Sequence, residues 1–435
     1  MFVPGRSWSL VSPTVAELAL FCLWYTIAGL LFSAFWLSVN ENTAVNNVMK
    51  IVADENIPLL HECFGGMGEV IARPGRAISP EDLRDADALL VRSVTSVNRQ
   101  LVEHSALKFV ATATAGFDHV DQAYLAARGI AFSHAPGCNA TAVVEYVLAA
   151  LDILAQWQGF ALAGRRVGII GKGQVGGRLF QAMERLGVDV CACDPLLAVK
   201  DTQAGNRYYS VNELIQRSDV ICLHTPLTTD GPYPTHYLID EPQLQAMKPG
   251  TILINAGRGA VINNTALKQC LSQRDDLAVV LDVWESEPDV DPQLMSRVAL
   301  ATPHIAGYSL DAKIRGTQMI YQAFCQYFGL PARVRLPAIT PLPVLKQLKF
   351  VEGRCFATTC ATAIRAIYDI RRDDAAMRQR LMMDEPAERR NAFDDLRKHY
   401  PTRREFNTLR VQLKDCAPEV VAAFKALQFR VNEPA

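Results

Sequence analysis

From Met49 onward, short runs of β-branched and apolar residues alternate with longer stretches in which apolar residues recur at helical spacing. The runs KIVAD at 50–54, ALLVRS at 88–93, KFVATATAG at 108–116 and IAFSHAPG at 130–137 read as strands. Ser96 to His104 and Asp121 to Ala127 read as helices between them, and a long helix opens near Asn139 and runs through VVEYVLAALDILAQW. A second series begins at Arg165, with strands at 166–170, 188–193, 219–223, 251–255, 278–282 and 299–301. A helix from Ala312 to Phe328 then leads into a proline-marked linker, Pro331 to Pro343. The residues from there to Ala435 form a smaller unit with helix-like and strand-like parts. Strands alternating with amphipathic helices predict an α/β protein built on parallel sheets. Two such series and a smaller C-terminal α+β unit are expected.

The first 48 residues break this pattern. From Leu18 to Val39 run 22 residues without a charge, enough to cross a bilayer. Three readings are open: a membrane anchor, an export signal, or translated upstream sequence outside the working protein. The last is preferred, because Met49 stands directly before the first strand. Membrane association is expected only if residues 18–39 are a real anchor.

Composition narrows the function classes. A formal net charge of -1 leaves no overall basic field to hold nucleic acid. The eleven cysteines are scattered and show no C-x-x-C pair, so reduced thiols in a cytoplasmic protein, and no metal site, are expected.

The strongest local signal is RVGIIGKGQVGGRLF, in which a buried strand enters Gly171-x-Gly173-x-x-Gly176 and a helix follows. The first glycine permits the tight turn, the second lets a pyrophosphate approach the backbone, and the third allows close helix–strand packing. Gln174 and Val175 open that helix, whose amide groups and dipole favour phosphate. The next strand ends at Asp194, 18 residues past Gly176, where a carboxylate accepts hydrogen bonds from a ribose and repels a 2′-phosphate. NAD is therefore expected in preference to NADP. A capping role for Asp194 before Pro195 stays open.

Three downstream residues have complementary chemistry. Arg258 follows an apolar strand in TILINAGRGAV, and its guanidinium is a planar fork matched to a carboxylate. His304, in ATPHIAGYS, suits a general base, and Glu287, in LDVWESEP, suits a partner that orients the ring and stabilises its charged form.

On GKGQVG, HTPLT, NAGRGAVIN, DVWESEP and PHIAG, the stretch from Met49 to about Phe328 resembles the D-isomer-specific 2-hydroxyacid dehydrogenase family. The resemblance implies that Arg258, Glu287 and His304 are the catalytic set. It implies a Rossmann nucleotide domain, 146–305, inserted in a flavodoxin-like substrate domain, 49–145 and 306–335. The runs DENIP, TATAGFDHVD, YDIRRDD and FDDLRKHYPTRREF resemble a branch acting on a small phosphorylated 2-hydroxy acid. That branch carries a C-terminal dimerisation domain, here 336–435, so a homodimer is expected. It further implies substrate contacts at Ser93, Thr114 and Tyr308, and cofactor contacts at Asp194, Thr225, Asp282 and Gly307. Another acid such as 3-phosphoglycerate is the alternative substrate, and an NAD-sensing corepressor the alternative class.

Overall fold

The computed structural model describes residues 48–200, 208–352 and 355–432, and the apolar stretch 18–39 lies outside them. Five parallel strands form the first sheet: β1 (Lys50–Asp54), β2 (Glu69–Arg73), β3 (Ala88–Val91), β4 (Phe109–Thr112) and β5 (Ala131–Ser133). Their order is β2-β1-β3-β4-β5, the flavodoxin-like arrangement with its switch point between β1 and β3. β3 and β4 are buried throughout, as expected of central strands covered on both faces. β2 is a half-exposed edge strand, EVIAR, and the sequence pattern did not single it out. The helix expected over 96–104 is a single turn, Arg99–Val102, with the Asn98 side chain accepting from the Leu101 amide.

Helix α1 (Ala140–Gln158) carries the chain to the second sheet and ends at Gly159 in the left-handed region, φ 68°. Among the described residues α1 is the helix long and apolar enough to cross a membrane, and most of it is buried inside the protein. The second sheet contains β6 (Arg166–Ile170), β7 (Asp189–Cys193), β8 (Val220–Leu223), β9 (Ile252–Asn255), β10 (Ala278–Leu281) and β11 (Leu300–Ala301). All pairings are parallel, in the order β11-β10-β9-β8-β6-β7. A bridge from Ala192 to Tyr208 marks an outer position beyond β7, which completes the Rossmann order. Helix α2 (Gln174–Arg185) follows β6.

After β11 the chain returns to the first sheet through α3 (Leu310–Tyr327). Phe324 on α3 packs edge-on against Phe64 and Phe109, and the Thr317 hydroxyl donates to the Pro58 carbonyl at 3.0 Å. The linker 331–343 holds one short helix, Leu336–Ile339.

The C-terminal unit has a three-stranded parallel sheet of β12 (Gln347–Phe350), β13 (Arg410–Leu413) and β14 (Arg430–Asn432). Its helices include α4 (Phe356–Ile367), α5 (Ile370–Leu381) and α6 (Pro386–Lys398). This unit shares its core with the second sheet. Phe406, Val411 and Phe424 join the cluster around α1 and β6, while Met377 and Phe393 join the cluster around Trp284 and Leu294. Each buried phenylalanine contributes roughly 1.5–3 kcal/mol. Polar contacts fix the same docking. Arg404 forks onto Asp311 at 2.9 Å, Glu405 accepts from Arg315 at 2.6 Å, and the Phe406 amide donates to Glu145 at 2.7 Å. Every described cysteine is a free thiol.

Candidate active site

The turn from β6 to α2 is built by backbone necessity. Gly171 has φ 87°, a left-handed conformation that side chains rarely adopt, and a Cβ on Gly176 would lie 1.9 Å from the Gly171 carbonyl oxygen. Gly173 faces open space, and Gln174 covers Gly137. Val175 packs half-buried against the core around α1. The Asp194 carboxylate accepts from the Lys172 amide at 2.9 Å and caps the turn at Pro195–Ala198 through the Leu197 amide at 3.0 Å. It thus has the capping role and also closes the glycine turn.

Beside this turn, at the end of β8, both ring nitrogens of His224 and the Thr225 hydroxyl are buried without partners. Burial pushes the His224 imidazole down to about 4, so it is neutral. Buried polar groups without partners are rare. Their position against Gly171, whose Cβ would meet the Thr225 amide at 2.9 Å, fits a crevice shaped for a polar dinucleotide.

At the end of β10, Asp282 is fully buried. Its carboxylate accepts from Thr302 Oγ1 at 2.7 Å, the Ile305 amide at 2.7 Å and the Ala306 amide at 2.9 Å. Burial pushes this carboxyl up, while the charge of His304 and the three donors pull against it. Asp282 therefore organises the loop bearing His304. That residue, with φ 56°, sits in a backbone region uncommon for non-glycine residues. Its Nδ1 meets Glu287 Oε1 at 2.5 Å, which leaves Nε2 as the free nitrogen. Burial raises the Glu287 carboxyl, but the charge and hydrogen bond of His304, then Arg397 and the Trp284 amide, outweigh it and hold it below the ordinary value. Gly307 packs onto Asn139 at the start of α1.

Arg258 crosses from the second sheet toward the first. Its Nη2 donates to Asp118 Oδ2 at 2.9 Å and its Nη1 to the Gly257 carbonyl at 2.9 Å, and it lies so close over Gly116 that a Cβ there would meet Nη2 at 2.3 Å. Thr114 shares this loop, with its hydroxyl donating to the Gly116 carbonyl at 2.8 Å. Ser93 is exposed at the end of β3, and Tyr308 is half-buried one turn past His304. Sequence reasoning did not single out Asp118, although it lies in the TATAGFDHVD run. It also missed Lys313 and Arg397, whose side chains flank Tyr308 at 4.6 and 5.7 Å from the ring centroid. Arg371 and Arg372 pair with Asp369 and Asp373 at 2.6 and 3.2 Å.

Residues 150–306 match the model of the D-isomer specific 2-hydroxyacid dehydrogenase NAD binding domain, and residues 339–427 match a domain of unknown function. The erythronate-4-phosphate dehydrogenase of Ectopseudomonas mendocina is 51% identical over 379 residues, covering 87% of this chain and 99% of the relative. This chain belongs to the erythronate-4-phosphate dehydrogenase family. The Azotobacter vinelandii family member is likewise 51% identical, over 382 residues, 87% of this chain and 99% of its own. Solved structures share the fold of the core. The D-lactate dehydrogenase of Aquifex aeolicus, complexed with NAD and lactic acid, has a TM-score of 0.54 at 24% identity, covering 64% of this chain and 95% of its own. The NAD-bound 3-phosphoglycerate dehydrogenase of Entamoeba histolytica has a TM-score of 0.55 at 23% identity, covering 65% and 97%. As a family member the chain is an NAD-dependent dehydrogenase of a small 2-hydroxy acid.

Proposed function

We propose that this chain oxidises 4-phospho-D-erythronate at C2 to (R)-3-hydroxy-2-oxo-4-phosphooxybutanoate, within the synthesis of pyridoxal 5′-phosphate. Bound NAD supplies the acceptor for the C2 hydrogen and its electron pair. Arg258 clamps the substrate carboxylate and polarises the reacting oxygen. His304 Nε2 takes the hydroxyl proton, and Glu287 stabilises the imidazolium that results. Asp118 holds the guanidinium against Gly116 until the carboxylate arrives. Ser93, Thr114 and Tyr308 contact the substrate. Gly171, Gly173, Gln174, Val175, Gly176, Asp194, Thr225 and Gly307 border the cofactor, with Asp282 holding the loop between them. The working protein is a cytoplasmic homodimer joined through its C-terminal unit.

The observation that carries this reading is the 2.5 Å His304–Glu287 pair, a base already joined to its charge partner, in a chain half identical to family members along nearly their whole length. The test is initial NADH formation by the full chain with 4-phospho-D-erythronate, 3-phosphoglycerate and D-lactate. The account expects kcat/KM to be highest for 4-phospho-D-erythronate. Turnover of 3-phosphoglycerate alone would keep the chemistry and discard the substrate.

A further inference from the structure

Tyr308 has two cations over its ring that neither take the proton nor hold the substrate carboxylate. Lys313, in the first turn of α3, and Arg397, near the end of α6, lie over its ring at 4.6 and 5.7 Å. Arg92, directly before Ser93, is close enough that its charge, after burial and with that of Arg403, holds the Lys313 ammonium down to about 8. None of Arg92, Lys313 and Arg397 forms a close ion pair among the described residues, although the Arg397 charge also acts on Tyr308, Glu287 and Asp394, and Arg397 Nε is buried with no hydrogen-bond partner. Arg92 and Lys313 repel each other, and half-burial makes each of the three cations costlier to hold. Such an arrangement needs an anion to complete it.

Helix α6 is held over the cleft by contacts to both sides. Arg390 reaches Asp289 at 3.4 Å, two residues beyond Glu287, and Asp394 pairs with Arg76 of the first-sheet domain at 2.9 Å. Phe393 is buried in the core around Trp284. Residues 390, 393, 394 and 397 share one helical face, so the anchors that seat the helix also aim Arg397 at Tyr308. The substrate carboxylate already has Arg258. A monocarboxylate such as lactate has no second anion for this cluster, whereas a phosphate monoester carries close to two charges at neutral pH.

We infer that Lys313 and Arg397, over the Tyr308 ring, and Arg92, beside Lys313, are the subsite for the terminal phosphate of the substrate. The C-terminal unit, which matches a domain of unknown function, thereby supplies a specificity-determining arginine to the active site. This inference rests on the proposed phosphorylated substrate.

The test compares wild type with Arg397→Met, Lys313→Met and Arg92→Met, each first shown to bind NADH. It reads kcat/KM for 4-phospho-D-erythronate against unphosphorylated D-erythronate, and inhibition by inorganic phosphate competing with whichever acid is turned over. Each substitution should cut the preference for the phosphorylated acid, and the affinity for phosphate, by roughly tenfold or more, the scale of a lost charge-assisted hydrogen bond. Unchanged preference and unchanged phosphate inhibition would overturn the subsite. So would an equal loss on both acids with Arg397→Met, since that marks a support of Glu287. Should a methionine variant fail to bind NADH, Arg397→Lys and Lys313→Arg read the same ratio, and either retains most of the preference if charge is what matters. If wild type turns over only an unphosphorylated acid, the substrate reading fails, and phosphate inhibition still decides the cluster.

Discussion

His304 combines a left-handed backbone, a 2.5 Å bond to Glu287 and a main-chain tie from its amide to the Asp282 carbonyl at 2.7 Å. Backbone strain of this kind persists where the surroundings over-determine it, and here Asp282 does so with three accepted hydrogen bonds. His304→Ala should lower kcat by roughly 10²–10⁴-fold with NADH binding retained, since proton removal is lost and the cofactor crevice is not. Steady-state rates beside an NADH titration check this, and near-normal turnover would remove His304 from the chemistry. A second residue sets a pH limit. Lys313 lies over the Tyr308 ring, and burial, then the charges of Arg92 and Arg403, hold its ammonium down to about 8. A depressed lysine loses its charge as pH rises through that value, so kcat/KM for the phosphorylated acid should fall above about pH 8. Lys313→Arg, which stays charged, should flatten that limb of the pH profile.

At the level of elements, the β6–α2 turn has no room to change. Gly176→Ala would place a methyl 1.9 Å from the Gly171 carbonyl, so the helix must shift away from its strand. NADH affinity should drop by at least tenfold and Tm should fall, and both can be read by fluorescence and calorimetry. This turn was legible in the sequence because its chemistry is local: glycines at fixed spacing between an apolar strand and an amphipathic helix. Most strands were legible for the same reason. β2 was not, because EVIAR is short and half-exposed and so lacks a continuous apolar run. The expected helix at 96–104 shortened to one turn, begun by Asn98 and ending before the half-exposed polar run at 103–105. The partner of Arg258 was also hidden, because Asp118 lies 140 residues away and meets it only when the two sheets face each other. Arg397 was hidden by the same kind of distance. Its 390-393-394-397 face reads as an ordinary solvated helix until Asp289 and Arg76 fix it over Tyr308.

For the whole molecule, the C-terminal unit is part of the core of the enzyme. Phe406 and Phe424 pack with the second sheet, and the 403–406 segment is tied to the start of α3 and to α1. Family membership, the dinucleotide crevice and the base–carboxylate pair together make one central claim: the C2 hydrogen of a phosphorylated 2-hydroxy acid leaves as hydride while its hydroxyl proton goes to His304. The most direct measurement is turnover of 4-phospho-D-erythronate carrying deuterium at C2, with mass analysis of the reduced nicotinamide. The account predicts one deuterium in the reduced cofactor, none released to water, and a 2-oxo acid as product. Deuterium in the solvent, with unlabelled NADH or none, would contradict it.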